Sequence, residues 1–107
     1  MGYYLFQGTY TSEAWAKLVN QPQNRVEVVR AAVEKLGGSV EGAWFSFGET
    51  DIVLICKWPD NVTAAAFAIA ATAGGALKAG KTTPLLTNDE LQAALKQAPK
   101  SGYRPPK

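Results

Sequence analysis

The side chains best suited to acid–base chemistry in this sequence lie in and around one short polar stretch. Gly48-Glu49-Thr50-Asp51 carries two carboxylates separated by a threonine. A positioned carboxylate can act as general acid or base, and a phenol or an ammonium, here Tyr10 or Lys81, can donate a proton or stabilise developing charge. An aspartate in a turn more often accepts hydrogen bonds from nearby backbone amides, and we favour that interpretation for Asp51.

Two cations are candidates for binding an anionic ligand, Arg25 and Lys81. Arg25 stands at the start of a predicted helix, where the helix dipole disfavours a positive charge. Either an anionic ligand or a carboxylate such as Asp51 would compensate, and the ion pair is the simpler interpretation. Lys81 precedes two threonines, which could add hydroxyl donors. An edge-strand lysine that discourages aggregation explains it more simply.

Aromatic residues supply the remaining candidates for a ligand site. Trp44 and Trp58, together with Tyr3 and Tyr10, could line a pocket for a small organic molecule. Such residues more often belong to a core or to an interface. Cys56 alternates with apolar residues along its strand, which predicts an inert buried thiol.

Several kinds of chemistry have no support in the composition. The sequence contains no histidine and one cysteine, which excludes Ser–His and Cys–His catalysis and leaves no plausible metal site or cofactor. The net charge of +2 does not favour nucleic acid or membrane, and the aromatic–basic signature of RRM domains is absent. The lone cysteine fits a reducing compartment, so we expect a cytoplasmic protein.

The central element that positions these residues is a predicted hairpin from Ser39 to Trp58. Ile52, Leu54, Cys56 and Trp58 share one apolar strand face, which we expect to lie under helices. The opposite face, with Val53 and Ile55 at its centre, is not convincingly polar either. One chain of 107 residues supplies helices for one side only, so a second copy of the sheet is the simplest cover for the other.

The rest of the chain completes a β-α-β-β-α-β order. We predict strands at 3–10 and 76–86, a first helix interrupted at Pro22, a second over 62–73, and a C-terminal helix opened by a Thr87–Glu90 capping box. This order predicts an α+β, ferredoxin-like, four-stranded antiparallel sheet with helices on one face. A single domain would span 1–98, followed by a basic, proline-rich tail at 99–107.

Motifs spread along the chain carry a resemblance to one family. They are Tyr3-Tyr4-Leu5, Gly8-Thr9-Tyr10-Thr11, Arg25, Glu34, Gly37-Gly38, Phe47-Gly48-Glu49-Thr50-Asp51, Pro59-Asp60 and Lys81-Thr82-Thr83-Pro84-Leu85-Leu86-Thr87. They resemble the GYD-domain family of small bacterial proteins, up to about Leu95. Thr50 stands where the family usually has tyrosine, so any role of that aromatic does not carry over. The resemblance implies a dimeric α/β barrel, in which two sheets pack face to face, and no particular reaction.

Two functions remain as hypotheses. The first is a non-catalytic homodimeric or larger module that binds a small organic molecule between sheet and helices. The alternative is a cofactor-free isomerase or monooxygenase of the dimeric α/β-barrel type, with Asp51, Glu49 and Tyr10 as its catalytic candidates.

Overall fold

The computed structural model describes residues 2–106. The elements follow in the order β1 (Gly2–Tyr10), α1 (Ser12–Asn20), α2 (Arg25–Lys35), β2 (Ser39–Phe45), β3 (Ile52–Trp58), α3 (Asn61–Ala73), β4 (Leu77–Leu85), α4 (Asn88–Gln97) and a 3-10 turn (Ala98–Ser101). Within residues 2–106, no helix has the length and apolar character needed to cross a membrane.

The four strands form one antiparallel sheet in the order β2-β3-β1-β4. β1 and β3 are central, while β2 and β4 are the edges. The predicted α+β, ferredoxin-like fold is confirmed.

Local sequence signals place the helix ends. Thr11, Asn24, Asp60 and Thr87 each accept a hydrogen bond from a backbone N–H three residues further on, which satisfies a donor that the first turn would leave free. Thr87 and Glu90 form the predicted capping box. The break around Pro22 separates α1 from α2 as predicted.

One face of the sheet carries the hydrophobic core. Ile52, Leu54, Cys56 and Trp58 are all buried there, as the alternation along β3 predicts, and Tyr4, Phe6 and Tyr10 join them from β1. α2 packs mainly over β2 and α3 mainly over β4. The two helices therefore stand over the outer strands rather than over the centre of the sheet.

The hairpin differs from its prediction in the length of its loop. β2 ends at Phe45, so residues 46–51 connect the two strands instead of three or four residues. Ser46 N–H donates to the Asp51 carbonyl at 2.8 Å and the Ser46 hydroxyl donates to the Thr50 carbonyl at 2.7 Å. These bonds close a turn that contains Phe47. The Phe47 side chain is 100% exposed.

The other face of the sheet is uncovered by any helix of the described residues. Tyr3, Leu5, Val53, Ile55 and Lys57 lie on it and are half-buried, with Leu5 directly opposite Ile55. We call this surface the open face. Its apolar centre matches the expectation from the sequence, whereas its covering by a second copy stays a prediction.

The C-terminal segment stands away from the sheet. None of residues 88–97 is buried, and within residues 2–106 the only substantial contact of α4 is with the 3-10 turn that follows it. The Cα radius of gyration is 17.1 Å, compared with about 13 Å for a compact domain of this length. The first residues of the tail form a 3-10 turn rather than extended chain. The domain boundary at residue 98 stays a prediction, and Met1 and Lys107 lie outside the described residues.

Candidate functional site

A cavity of about 200 Å³ lies between the sheet and the helices. The central strands form its floor and the two flanking helices its walls. The floor residues include Phe6, Ile52 and Leu54, and the walls include Val28, Val29, Ala32 and Leu36 of α2 with Phe67, Ala70 and Ala71 of α3.

The cavity follows from helix placement and side-chain size. The outer strands β2 and β4 are three strand spacings apart, about 14 Å, whereas helices in direct contact lie about 8–10 Å apart. Larger side chains could bridge this gap, but α3 presents Ala70 and Ala71, and α2 presents Ala32. The small side chains of α3 therefore leave space over the central strands.

Tyr10 and Arg25 carry the polar side-chain groups of the cavity lining within the described residues. The Tyr10 ring is buried and packs edge to face on Trp15, with ring centroids 5.0 Å apart. Burial raises the pKa of the Tyr10 phenol; nearby Arg25 lowers that pKa and the Asp51 charge adds to the rise. The phenol therefore stays neutral and keeps its proton for donation at physiological pH.

Arg25 has a neutral partner rather than a carboxylate. Its Nη1 donates to Gln23 Oε1 at 3.1 Å, and it forms no ion pair within residues 2–106. The ion pair that we favoured between Arg25 and Asp51 is therefore wrong, because the Asp51 carboxylate is committed elsewhere.

A second cavity of about 120 Å³ adjoins the first. Tyr10, Arg25 and Ala76 line both cavities, and α1 adds Ala14, Lys17 and Leu18 to the second. The phenol and the guanidinium therefore stand at the junction of an apolar cavity and a smaller one that contains a second cation.

The two carboxylate candidates lie outside both cavity linings. Asp51 is buried, and its Oδ2 accepts a hydrogen bond from the Tyr10 backbone N–H at 2.9 Å, while its own N–H donates to the Gly8 carbonyl at 2.8 Å. This geometry matches the structural interpretation of Asp51, which ties the hairpin loop to the end of β1. Glu49 is exposed, and its backbone carbonyl accepts a bond from Thr9 Oγ1.

The remaining ligand candidates do not converge. Trp58 is buried in the core against Phe67, with ring centroids 5.5 Å apart, and does not line the cavity. Trp44 is exposed on β2, opposite Val53, and Lys81 is exposed on β4, opposite Gln7. These registers place Trp44 and Lys81 on the open face, across the sheet from the cavity. Of the seven candidates, Tyr10 and Arg25 line the cavity, whereas Asp51 bonds the Tyr10 backbone N–H outside the lining.

Cys56 is buried on the helix-facing side of β3. Burial, with a smaller contribution from the charge of Glu41, raises the pKa of its thiol to about 11. The thiol is thus protonated and shielded at neutral pH, as an inert cysteine would be. Among residues 2–106 no cluster of three or more His, Cys, Asp or Glu side chains could hold a metal ion.

Sequence reasoning missed most of the cavity lining. Phe6 and Leu54 were recognisable as core residues, but core residues around a void have the same pattern as those around a filled interior. Lys17 carries no signal of its own, because exposed lysines are common on helices. The available signal was the alanine run of α3, which indicates little side-chain volume on one wall.

Comparisons with known proteins agree with the fold. The solved structure of MtbAldR superposes with a TM-score of 0.58 at 17% sequence identity, covering 81% of this chain and 54% of that chain. The present chain thus spans about half the length of MtbAldR, and the likeness concerns the fold alone. A search of curated proteins finds no match. The family model of the GYD domain matches residues 4–95, which is most of the chain, and the protein therefore belongs to the GYD-domain family.

Proposed function

We propose that this protein is a non-catalytic homodimeric module that binds a small organic molecule between its sheet and its helices. The observation that carries the proposal is the 200 Å³ apolar cavity over the central strands. Ligand sites are typically concave and mostly apolar, with a few convergent polar groups. Tyr10 and Arg25 supply such groups here.

The open face supports the dimer. Its apolar centre, with Leu5 opposite Ile55, is continuous across the two central strands, and Trp44 extends it over β2. Apolar patches of this kind on small proteins mark interaction sites. In a dimer with two-fold symmetry, the same patch of both copies forms the interface. The apolar centre of one open face would therefore meet the apolar centre of the other.

A cofactor-free isomerase or monooxygenase is the second candidate, and the buried Tyr10 phenol at the cavity is the observation that favours it. Such an enzyme also needs a base within reach of its substrate. Asp51 and Glu49 do not line the cavity, and so we place binding first.

Native mass spectrometry of the freshly purified protein tests the proposal, since it reads assembly size and retained ligand together. We expect a dimer that carries a small-molecule adduct. Ala70→Trp, which places a large ring at the cavity wall, should abolish the adduct. Ala66→Trp is the matched control, because Ala66 is an exposed alanine of the same helix outside the lining.

A bare monomer, or an adduct that survives Ala70→Trp as well as Ala66→Trp, would overturn the proposal. An adduct whose mass changes on incubation of the purified protein would favour the enzyme instead.

A further inference from the structure

We infer that the cavity ligand is an amphiphilic carboxylate, with an apolar ring or short chain in the larger cavity and its carboxylate at the Arg25 guanidinium. The inference rests on the proposed function, because it assigns the ligand class of that same cavity.

The arrangement of the two cavities separates an apolar end from a cationic end. The larger cavity is lined by aliphatic, alanine and phenylalanine side chains apart from Tyr10 and Arg25. The smaller one adds Lys17 and Gln23. A molecule that enters the larger cavity with its apolar part therefore has its polar end at the junction.

The charge at the junction selects an anion. Arg25 and Lys17 are both cationic, and neither forms an ion pair with an acidic side chain of residues 2–106. Arg25 is half-buried, and its guanidinium has five N–H donors, of which Gln23 Oε1 accepts one. A carboxylate matches the planar guanidinium in geometry and charge, and hydrogen bonds between such ions are about twice as strong as neutral ones.

The Tyr10 hydroxyl is a further hydrogen-bond donor for a bound carboxylate. The same burial that raises the pKa of its phenol keeps the O–H protonated at neutral pH. The hydroxyl can therefore donate to a carboxylate oxygen, whereas an ammonium group at this position would meet two cations.

Cavity size limits the apolar part. An apolar protein cavity of about 150 Å³ is large enough to bind benzene. A cavity of about 200 Å³ therefore accommodates a phenyl ring with a short chain or a branched chain of similar volume.

Three probes that share one ring and one chain length test the assignment by isothermal titration calorimetry on the full chain at fixed ionic strength. They are 3-phenylpropanoate, 3-phenylpropanol and 3-phenylpropylamine, which differ only in the head group. We expect the carboxylate to bind about tenfold or more tightly than the alcohol, and the amine to bind most weakly.

Arg25→Gln should remove the preference for the carboxylate while leaving the affinity for the alcohol unchanged, and Arg25→Lys should restore part of it. Lys35→Gln is the matched control, because it removes the same charge at the far end of α2, outside both linings. Circular dichroism checks that each variant folds. If Arg25→Gln does not fold, Lys17→Gln replaces it, with a smaller loss expected only for the carboxylate.

Equal affinities for the carboxylate and the alcohol would overturn the assignment of ligand class, as would equal effects of Arg25→Gln and Lys35→Gln. In both outcomes the cavity still binds a molecule, so the proposed function survives. If the unmodified protein binds none of the three probes, the ligand class fails, and the proposed binding function fails with it only when native mass spectrometry also detects no adduct.

Discussion

At the scale of single residues, the backbone approaches the core closely where α2 leads into β2. A Cβ atom built on Gly38 would stand 2.5 Å from Trp58 Cε3 and 2.8 Å from the Lys57 carbonyl oxygen. Trp58 is buried, and the carbonyl belongs to a central strand, so neither can withdraw at small cost. Gly38 thus permits the core tryptophan to lie directly under the turn.

Gly38→Ala should therefore lower the free energy of unfolding by about 1–3 kcal/mol, the usual range for an overpacked core. Gly42→Ala is the control. A Cβ on Gly42 would overlap the outer ring of Trp44, but that side chain is exposed and can turn away. Urea titration followed by circular dichroism measures both. Equal losses in the two variants would contradict the explanation.

The sequence predicts the structural position of a residue when neighbours in the chain determine that position. Cys56 and Trp58 were assigned to the correct strand face because alternation along β3 is a property of neighbouring residues. Asp51 was interpreted as a turn residue for the same reason. The pairing of Arg25 with Asp51 failed because it joined residues distant in sequence, and the Asp51 carboxylate instead accepts from the Tyr10 backbone N–H.

At the scale of elements, the sequence predicted where helices begin and end, but it did not predict the space between packed helices. Capping side chains and Pro22 act within a few residues, and the structure has the helix boundaries they indicate. The hairpin loop was predicted too short because Ser46 closes the turn with its own hydrogen bonds to Thr50 and Asp51. The cavity depends on the distance between α2 and α3, which strand order sets and which no local pattern encodes.

The C-terminal helix offers an element-scale prediction. Because none of residues 88–97 is buried, deletion of residues 87–107 should change the free energy of unfolding by less than about 1 kcal/mol. Deletion of residues 76–107 is the contrasting variant. It removes β4, which pairs with β1 along nearly its whole length, and should abolish folding. Thermal and urea unfolding at several protein concentrations measure both.

A large loss of stability on removal of α4, growing with protein concentration, would contradict this prediction. It would mean that Leu91 and Leu95, which are 45% and 55% exposed, pack against another copy of the chain.

At the scale of the whole molecule, the open face is small for an interface. Four strands of seven to nine residues present about 20 Å by 25 Å, or about 500 Å². Stable complexes commonly bury about 800 Å² on each partner. A homodimer held by this face alone should therefore dissociate measurably on dilution, and the proposed assembly is a reversible one.

Ile55→Lys should shift that equilibrium to monomer. Ile55 lies at the centre of the open face beside Leu5, and pairing two faces would bury the new ammonium without a partner. Val62→Lys introduces the same charge on α3 at a side chain that is 78% exposed, and should leave the dimer intact.

Light scattering coupled to size-exclusion chromatography across a dilution series gives the mass of each variant. A monomer for the unmodified protein at every concentration would end the dimer proposal, as would equal dissociation of both variants. The cavity lies on the opposite side of the sheet, so monomeric Ile55→Lys should still bind the cavity ligand.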